Sequence, residues 1–370
     1  MNPIYRGQYP PKNTDVLWVK QGQIFLFQNG GWVTVSGGGG SSAEEYLSET
    51  SENLIKNKAV YNQYMDEEDT KEVLKIIDPN IDYGTPLTFE FIDDASIAFK
   101  AVSSSHTKTI MYKKTTEDTW HSLTSDTGQS ASIIGNAGDI IQVKGDNTTY
   151  ADSSTYINYF TNGMMTGRYK VYGNIMSLID STNFKNLKTI SSEKAFLRLF
   201  RYNTDLVDAS GLLLPATTLA TYCYGYMFEG CTSLEKAPEL PATTLAANCY
   251  YSMFYNCSSL IQAPTELPAL TLNSDCYGEM FRGCSSLEVA PLLPAQVSVS
   301  QCYYGMLREC PKLKEVTCLL TTLSSTNDTN YWLYQSGTSA TDPTFKKDST
   351  MSGWTVSDQC IPSNWTIVNA

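Results

Sequence analysis

The chain has 370 residues, with 26 Lys and Arg against 38 Asp and Glu, a formal net charge of −12 and 42% hydrophobic residues. That apolar content excludes wholesale disorder, and the acidity argues against a nucleic-acid partner, whose phosphates are held by Lys and Arg. No stretch stays apolar for the ~18 residues a membrane helix needs, and the opening MNPIYRGQYPPKNTD has no apolar core of a secretory signal. Only His106 and His121 are histidines, which argues against most acid–base, nucleophilic and zinc chemistry.

Residues 1–40 contain DVLWVKQGQIFLFQNGGWVTVSGGGG. Val16–Val19, Ile24–Gln28 and Trp32–Val35 read as strands, with Gln21-Gly22 and Asn29-Gly30-Gly31 as turns, which predicts a three-stranded meander. Such a meander is too small for a core of its own. Its aromatic residues Trp18, Phe25, Phe27 and Trp32 are the candidates for docking onto a larger particle. Residues 41–83 predict two short helices. Asn53–Met65 is free of Gly and Pro, Asp66–Asp69 places acid at a helix start, Val73, Ile76 and Ile77 share a face, and Asp78-Pro79 stops the run. These helices either pack onto the next domain or associate with copies of themselves.

Residues 84–174 predict an antiparallel β-sandwich. Leu87–Phe91, Ser96–Lys100, Thr109–Lys113, Ala131–Ile134, Ile140–Val143 and Arg168–Tyr172 read as strands separated by turn residues. GNAGDIIQVKGDN reads as a hairpin, since no helix pattern follows its glycines.

Residues 175–325 are a repeat. First cysteines Cys223, Cys249, Cys276 and Cys302 step by 26, 27 and 26 residues, and second cysteines Cys231, Cys257, Cys284 and Cys310 step identically. Each second cysteine is followed three residues on by Leu234, Leu260, Leu287 or Leu313. A weaker copy, Leu199–Asn203 with Leu206, precedes them. A period of this size predicts a solenoid whose units bury their faces against one another. Counting from the first cysteine, Cys, Tyr, Met and Cys recur at places one, two, five and nine, with Phe228, Phe254, Phe281 and Leu307 at place six. Places one, five and nine form one stripe of a helix. Places four and seven vary, and Tyr226, Glu229, Tyr255, Arg282 and Arg308 there are the candidate ligand contacts. Residues 326–370, with GWTV and NWTI, break the period and predict a β-rich C-terminal cap.

Two cysteines and a methionine per unit invite a metal, but zinc prefers close-set knuckles or paired His. On a helix the paired sulfurs would lie about 12 Å apart, too far for a bridge between Cα atoms that must come within about 7 Å. A ladder of buried, reduced cysteines is the expectation, ahead of disulfides and metal.

MFEGCTSL, MFYNCSSL and MFRGCSSL resemble the core of the BspA-type leucine-rich repeats of gut and oral bacteria. The resemblance covers about 195–320 and implies an extended adhesion or binding module with no enzymatic activity. PKNTDVLWVKQGQIFLFQNGGWVTVSGGGG is similar to the anchor modules of virion fibres from phages of gut Bacteroidetes, the crAss-like ones included, and LSETSENLIKNKAVYNQYM resembles a segment near their oligomerising parts. Together these imply a structural fibre on a phage head or tail, assembled in the host cytoplasm. It would bind a capsid or tail protein through its N-terminus, form a dimer or trimer, and meet a host-surface glycan or protein. It would need no cofactor, no nucleic acid and no membrane insertion. The alternatives are a BspA-type bacterial surface adhesin and, more remotely, a capsule depolymerase. The last needs paired carboxylates. Asp93-Asp94 and Asp66–Asp69 are the dense acids, and neighbours on a strand point to opposite faces.

Overall fold

A computed structural model describes residues 82–128, 130–357 and 359–370, together with four N-terminal strands. The chain divides into two compact units, Met1–Asp82 and Tyr83–Ala370. The first holds β1 (Ile4–Arg6), β2 (Leu17–Lys20), β3 (Gln23–Gln28) and β4 (Gly31–Thr34). The last three pair antiparallel in sequence order, as the turn signals predict, and β1 adds a parallel edge against β2. The helices predicted within 41–83 lie outside the described residues.

The second unit opens with two facing sheets. Its strands are β5 (Leu87–Phe91), β6 (Ala95–Ala101), β7 (Thr109–Lys114), β8 (His121–Thr124), β9 (Ser132–Gly135), β10 (Ile140–Gly145), β11 (Asn158–Asn162), β12 (Tyr169–Asn174) and β13 (Leu206–Leu213). One sheet runs β13-β12-β5-β10-β7-β8 and the other β11-β6-β9. Phe89 of β5 meets Phe160 of β11 across the gap, with ring centroids 5.3 Å apart. Every strand predicted here is present. Strands β8, β11 and β13 are not among those the sequence predicts: the HSLT of β8 is mostly exposed and lacks an apolar alternation.

From about residue 194 the chain winds through successive units of 26–28 residues that lie side by side. No α-helix occurs among the described residues, whose only helical pieces are 3-10 turns at Ile175–Leu178, Phe184–Asn186 and Thr326–Thr329. The helices predicted for the repeats are therefore replaced by a spiral of turns. In the first full copy, Cys223, Gly225, Met227, Glu229 and Cys231 donate N–H to carbonyls three residues back, as in β-turns. The residues between them donate to the next unit instead: Tyr224 to Cys249, Tyr226 to Tyr251, Phe228 to Met253, at 2.8–3.0 Å. Local and lateral bonds alternate, so every N–H from Tyr222 to Cys231 has a partner. Every fourth residue takes a left-handed conformation, as at Tyr222, Tyr226 and Gly230, or Asp275, Glu279 and Gly283.

This spiral repeats every four residues, so places one, five and nine still share a face. Cys223, Met227 and Cys231 and their counterparts are all fully buried. Place-two tyrosines form one column of rings, Phe196–Tyr224–Tyr250–Tyr277–Tyr303, with centroids 5.6–5.9 Å apart and planes within 10°. Place-six rings form a second, Phe200–Phe228–Phe254–Phe281, at 5.3–5.4 Å. Both columns run back into the facing sheets, through Tyr150 on Phe196 and Phe160 on Phe200. One core extends from Leu87 to Trp365.

All ten cysteines are free and nine are buried. The second cysteines donate their thiols to the unit before: Cys231 Sγ to Phe200 O, Cys257 to Phe228 O, Cys284 to Phe254 O and Cys310 to Phe281 O, at 3.0–3.1 Å. A small apolar side chain with a weak donor is what this tight corner takes.

The period continues into 326–370 rather than breaking there. Tyr303, Gly305, Leu307 and Glu309 donate to Asp328, Asn330, Trp332 and Tyr334. Asp328, Trp332 and Ser336 thus hold places one, five and nine, and the Ser336 hydroxyl bonds Leu307 O as a cysteine thiol would. Strands β14 (Glu315–Cys318), β15 (Thr344–Lys347) and β16 (Thr366–Asn369) close this end as a parallel sheet, while GWTV at 353–356 is not a strand.

Gly283 has φ +76°, and a Cβ there would stand 2.2 Å from Asn256 Oδ1. Gly283→Ala should cost about 1–3 kcal/mol in urea unfolding, whereas Gln301→Gly, at an exposed left-handed position, should gain about 1 kcal/mol. Burial pushes the thiols of Cys223, Cys231, Cys302, Cys310 and Cys318 from an ordinary 9.0 up to about 12. Their folded values are raised, so their stabilisation is complete below pH 9 and is lost as pH rises toward 12. Each thiol removes about 1.4 kcal/mol per pH unit in that window. Urea midpoints should fall steeply above pH 9, and less steeply in Cys231→Ala/Cys257→Ala.

Candidate functional site

The left-handed place-four residues Tyr226 and Glu279 are half-buried at the surface of the spiral, while Ser252 at the same place is buried and Gly305 carries no side chain. Tyr226, Glu229, Tyr255, Arg282 and Arg308 are all half-buried, more sheltered than freely exposed side chains. The structure joins them in one strip across successive units. Arg198 Nε lies 3.7 Å from Glu229 Oε2, and its guanidinium stands 4.7 Å from the Tyr226 ring centroid. Tyr202 donates its hydroxyl to Glu229 at 3.1 Å. Tyr226 packs on Tyr251, centroids 5.5 Å apart, and the Tyr251 hydroxyl donates to Glu279 at 3.3 Å. Arg282 bonds Glu279 at 2.7 Å and Glu309 at 3.3 Å while lying 5.4 Å from the Tyr255 ring. Arg308 bonds Glu309 at 3.0 Å and sits against Tyr331 and Tyr334.

The strip is electrostatically balanced, with Arg198, Arg282 and Arg308 set against Glu229, Glu279 and Glu309. Partial burial works against the Arg282 charge, but the bonds to Glu279 and the field of Glu309 outweigh it and raise its pKa. Burial, then the Glu279 carboxylate, raises the Tyr251 phenol. A shallow depression lined by Ser285, Glu309, Pro311, Gln335 and Thr338 adjoins the Arg308 end.

The five residues chosen from the sequence all fall in this strip. Arg198, Tyr202, Tyr251, Glu279, Glu309, Tyr331 and Tyr334 belong to it as well. Glu279 stands at place four and was within reach of the repeat alignment. Tyr251 and Glu309 stand at places three and eight, which a helix directs elsewhere and a spiral of turns brings alongside.

In the N-terminal unit, Trp18 is registered opposite Phe25, and Phe27 opposite Trp32.

Asp93 and Asp94 sit in the turn between β5 and β6, not on a strand. Asp93 takes two bonds from Arg168, at 2.8 and 3.2 Å, and this pairing lowers its pKa. Asp94 accepts the Ala137 N–H at 2.8 Å. Both acids are committed to holding loops. Among the described residues no cluster of His, Cys, Asp and Glu is arranged to hold a metal ion, and no helix is long and apolar enough to cross a membrane. No family model, curated protein or solved structure matches the chain.

Proposed function

We propose that the protein is a non-enzymatic phage virion surface fibre, on the head or the tail, whose stacked units are a leucine-rich-repeat-type solenoid that binds the host surface. The carrying observation is the strip from Arg198 to Tyr334. It runs along the stack, and its residues change from unit to unit while the buried places of the four middle units stay constant. Constancy inside with variation along one outer line is the pattern of a scaffold presenting a contact surface. Leu234, Leu260, Leu287 and Leu313, all fully buried, support the leucine-rich-repeat reading. Tyrosine and arginine suit a host glycan or protein, because each offers a rigid apolar body with polar tips. In this reading residues 1–40 dock on a capsid or tail protein through Trp18, Phe25, Phe27 and Trp32. Residues 41–83 oligomerise the fibre as a dimer or trimer, and assembly takes place in the host cytoplasm. Neither nucleic acid nor membrane insertion has a part in it.

The test is binding of the labelled protein to cells of the bacterium its particle infects. Tyr226→Ala/Tyr255→Ala/Arg282→Ala should lose binding by about tenfold or more, the scale of an interface hot spot, with the fold intact by circular dichroism. A triple variant that binds like the parent would remove the strip from the contact. Protein lacking 1–40 should no longer decorate particles, and decoration without that segment would refute the docking role.

A further inference from the structure

The outer face of the six-stranded sheet carries a second constellation, remote in sequence from the strip. Tyr112 on β7 is registered opposite His121 on β8, and Trp120 is the residue just before that strand. Lys144 on β10 is registered opposite Met111, and Gln142 opposite Lys113, which puts both lysines on the same face. The two ammonium groups converge on one indole, Lys144 Nζ at 4.3 Å and Lys113 Nζ at 5.5 Å from the Trp120 centroid.

Neither lysine has an acidic partner among the described residues. The nearby acids are engaged elsewhere: Asp139 with Lys114 at 2.8 Å, Glu117 with His121 at 3.1 Å and Glu90 with Lys170 at 3.4 Å. Asp118, in the same hairpin loop, pairs with neither lysine. In a chain of net charge −12, two cations gathered on one aromatic ring without a counter-charge form a local exception. Their mutual repulsion is relieved by an anion, and the ring adds an apolar platform.

We propose that Trp120, Lys113 and Lys144 form a binding site for an acidic saccharide, a uronate-bearing oligosaccharide. Its carboxylate takes charge-assisted hydrogen bonds from the two ammonium groups, and a C–H face of the sugar ring lies on the part of the indole that they leave uncovered. A neutral sugar would use the indole and leave the cations without a partner. A nucleic acid would need a longer track of cations to offset the repulsion of this acidic chain. The site stands independently of the strip, so it can fail while the strip reading holds, and the reverse.

The test is calorimetric titration of the full chain with a short oligogalacturonate. Binding should be saturable, weaken with added salt, and be absent for the fully methyl-esterified oligomer. Lys113→Gln and Lys144→Gln should each weaken it about tenfold, and Trp120→Ala should abolish it. The lysines lie on the sheet surface, so their variants report binding with the fold unchanged, checked by thermal unfolding. Four results would overturn the proposal: no saturable heat with the parent chain, equal binding of the esterified oligomer, undiminished binding by the double lysine variant, or tighter binding of single-stranded DNA of matched charge.

Discussion

Everything in the larger unit depends on how one backbone satisfies its hydrogen bonds in two directions at once. Along the turn spiral, alternate N–H groups close local turns and the others reach the next unit. A helix would spend all of these donors on itself, and a strand would spend them all on its neighbours. The mixed solution needs a left-handed residue at every fourth position, which costs conformational energy at Tyr226, Ser252 and Glu279 that glycine avoids at Gly230 and Gly283. Stacked rings offset that cost. Each aromatic pair adds roughly 0.5–1.5 kcal/mol beyond the area it buries, and the two columns supply such a pair at nearly every junction between units.

The columns also explain why sheets and coils share one core. Tyr150 and Phe160 extend the two lines of rings into the facing sheets, and Tyr169 bonds Asn203, which stands where later units have their second cysteine. At the other end Trp332 follows Tyr303, and Ser336 replaces the cysteine. The end units keep the geometry and change the chemistry, with amide and hydroxyl groups doing what a thiol does in the middle. The strip of Tyr, Arg and Glu is held by this framework. Its residues project from bends whose positions are set by buried places one, five and nine.

Much of this was legible in the sequence, and for identifiable reasons. Strands with apolar alternation, such as Leu87–Phe91 and Ile140–Gly145, announce themselves, whereas the exposed edge strand His121–Thr124 does not. Four copies of the unit separate inside from outside without any structure. The same copies mislead about conformation, because recurrence at i, i+4, i+8 resembles a helix stripe. A true helix would drift by about 80° across those two steps, while Cys223, Met227 and Cys231 are buried alike. A recurrence of four without drift is the signal that distinguishes a spiral of turns. The grouping of Lys113, Trp120 and Lys144 was not legible, since strand register alone brings them together.

The ring columns bind sheets and coils into one cooperative body. Hydrogen exchange of the full chain in mild denaturant, followed by mass spectrometry, tests this coupling. Peptides from β5 and β10 and peptides from 223–310 should open together, and Phe254→Ala should accelerate both sets equally. Separate opening of the sheets and the coils, with Phe254→Ala felt only in the coils, would contradict it.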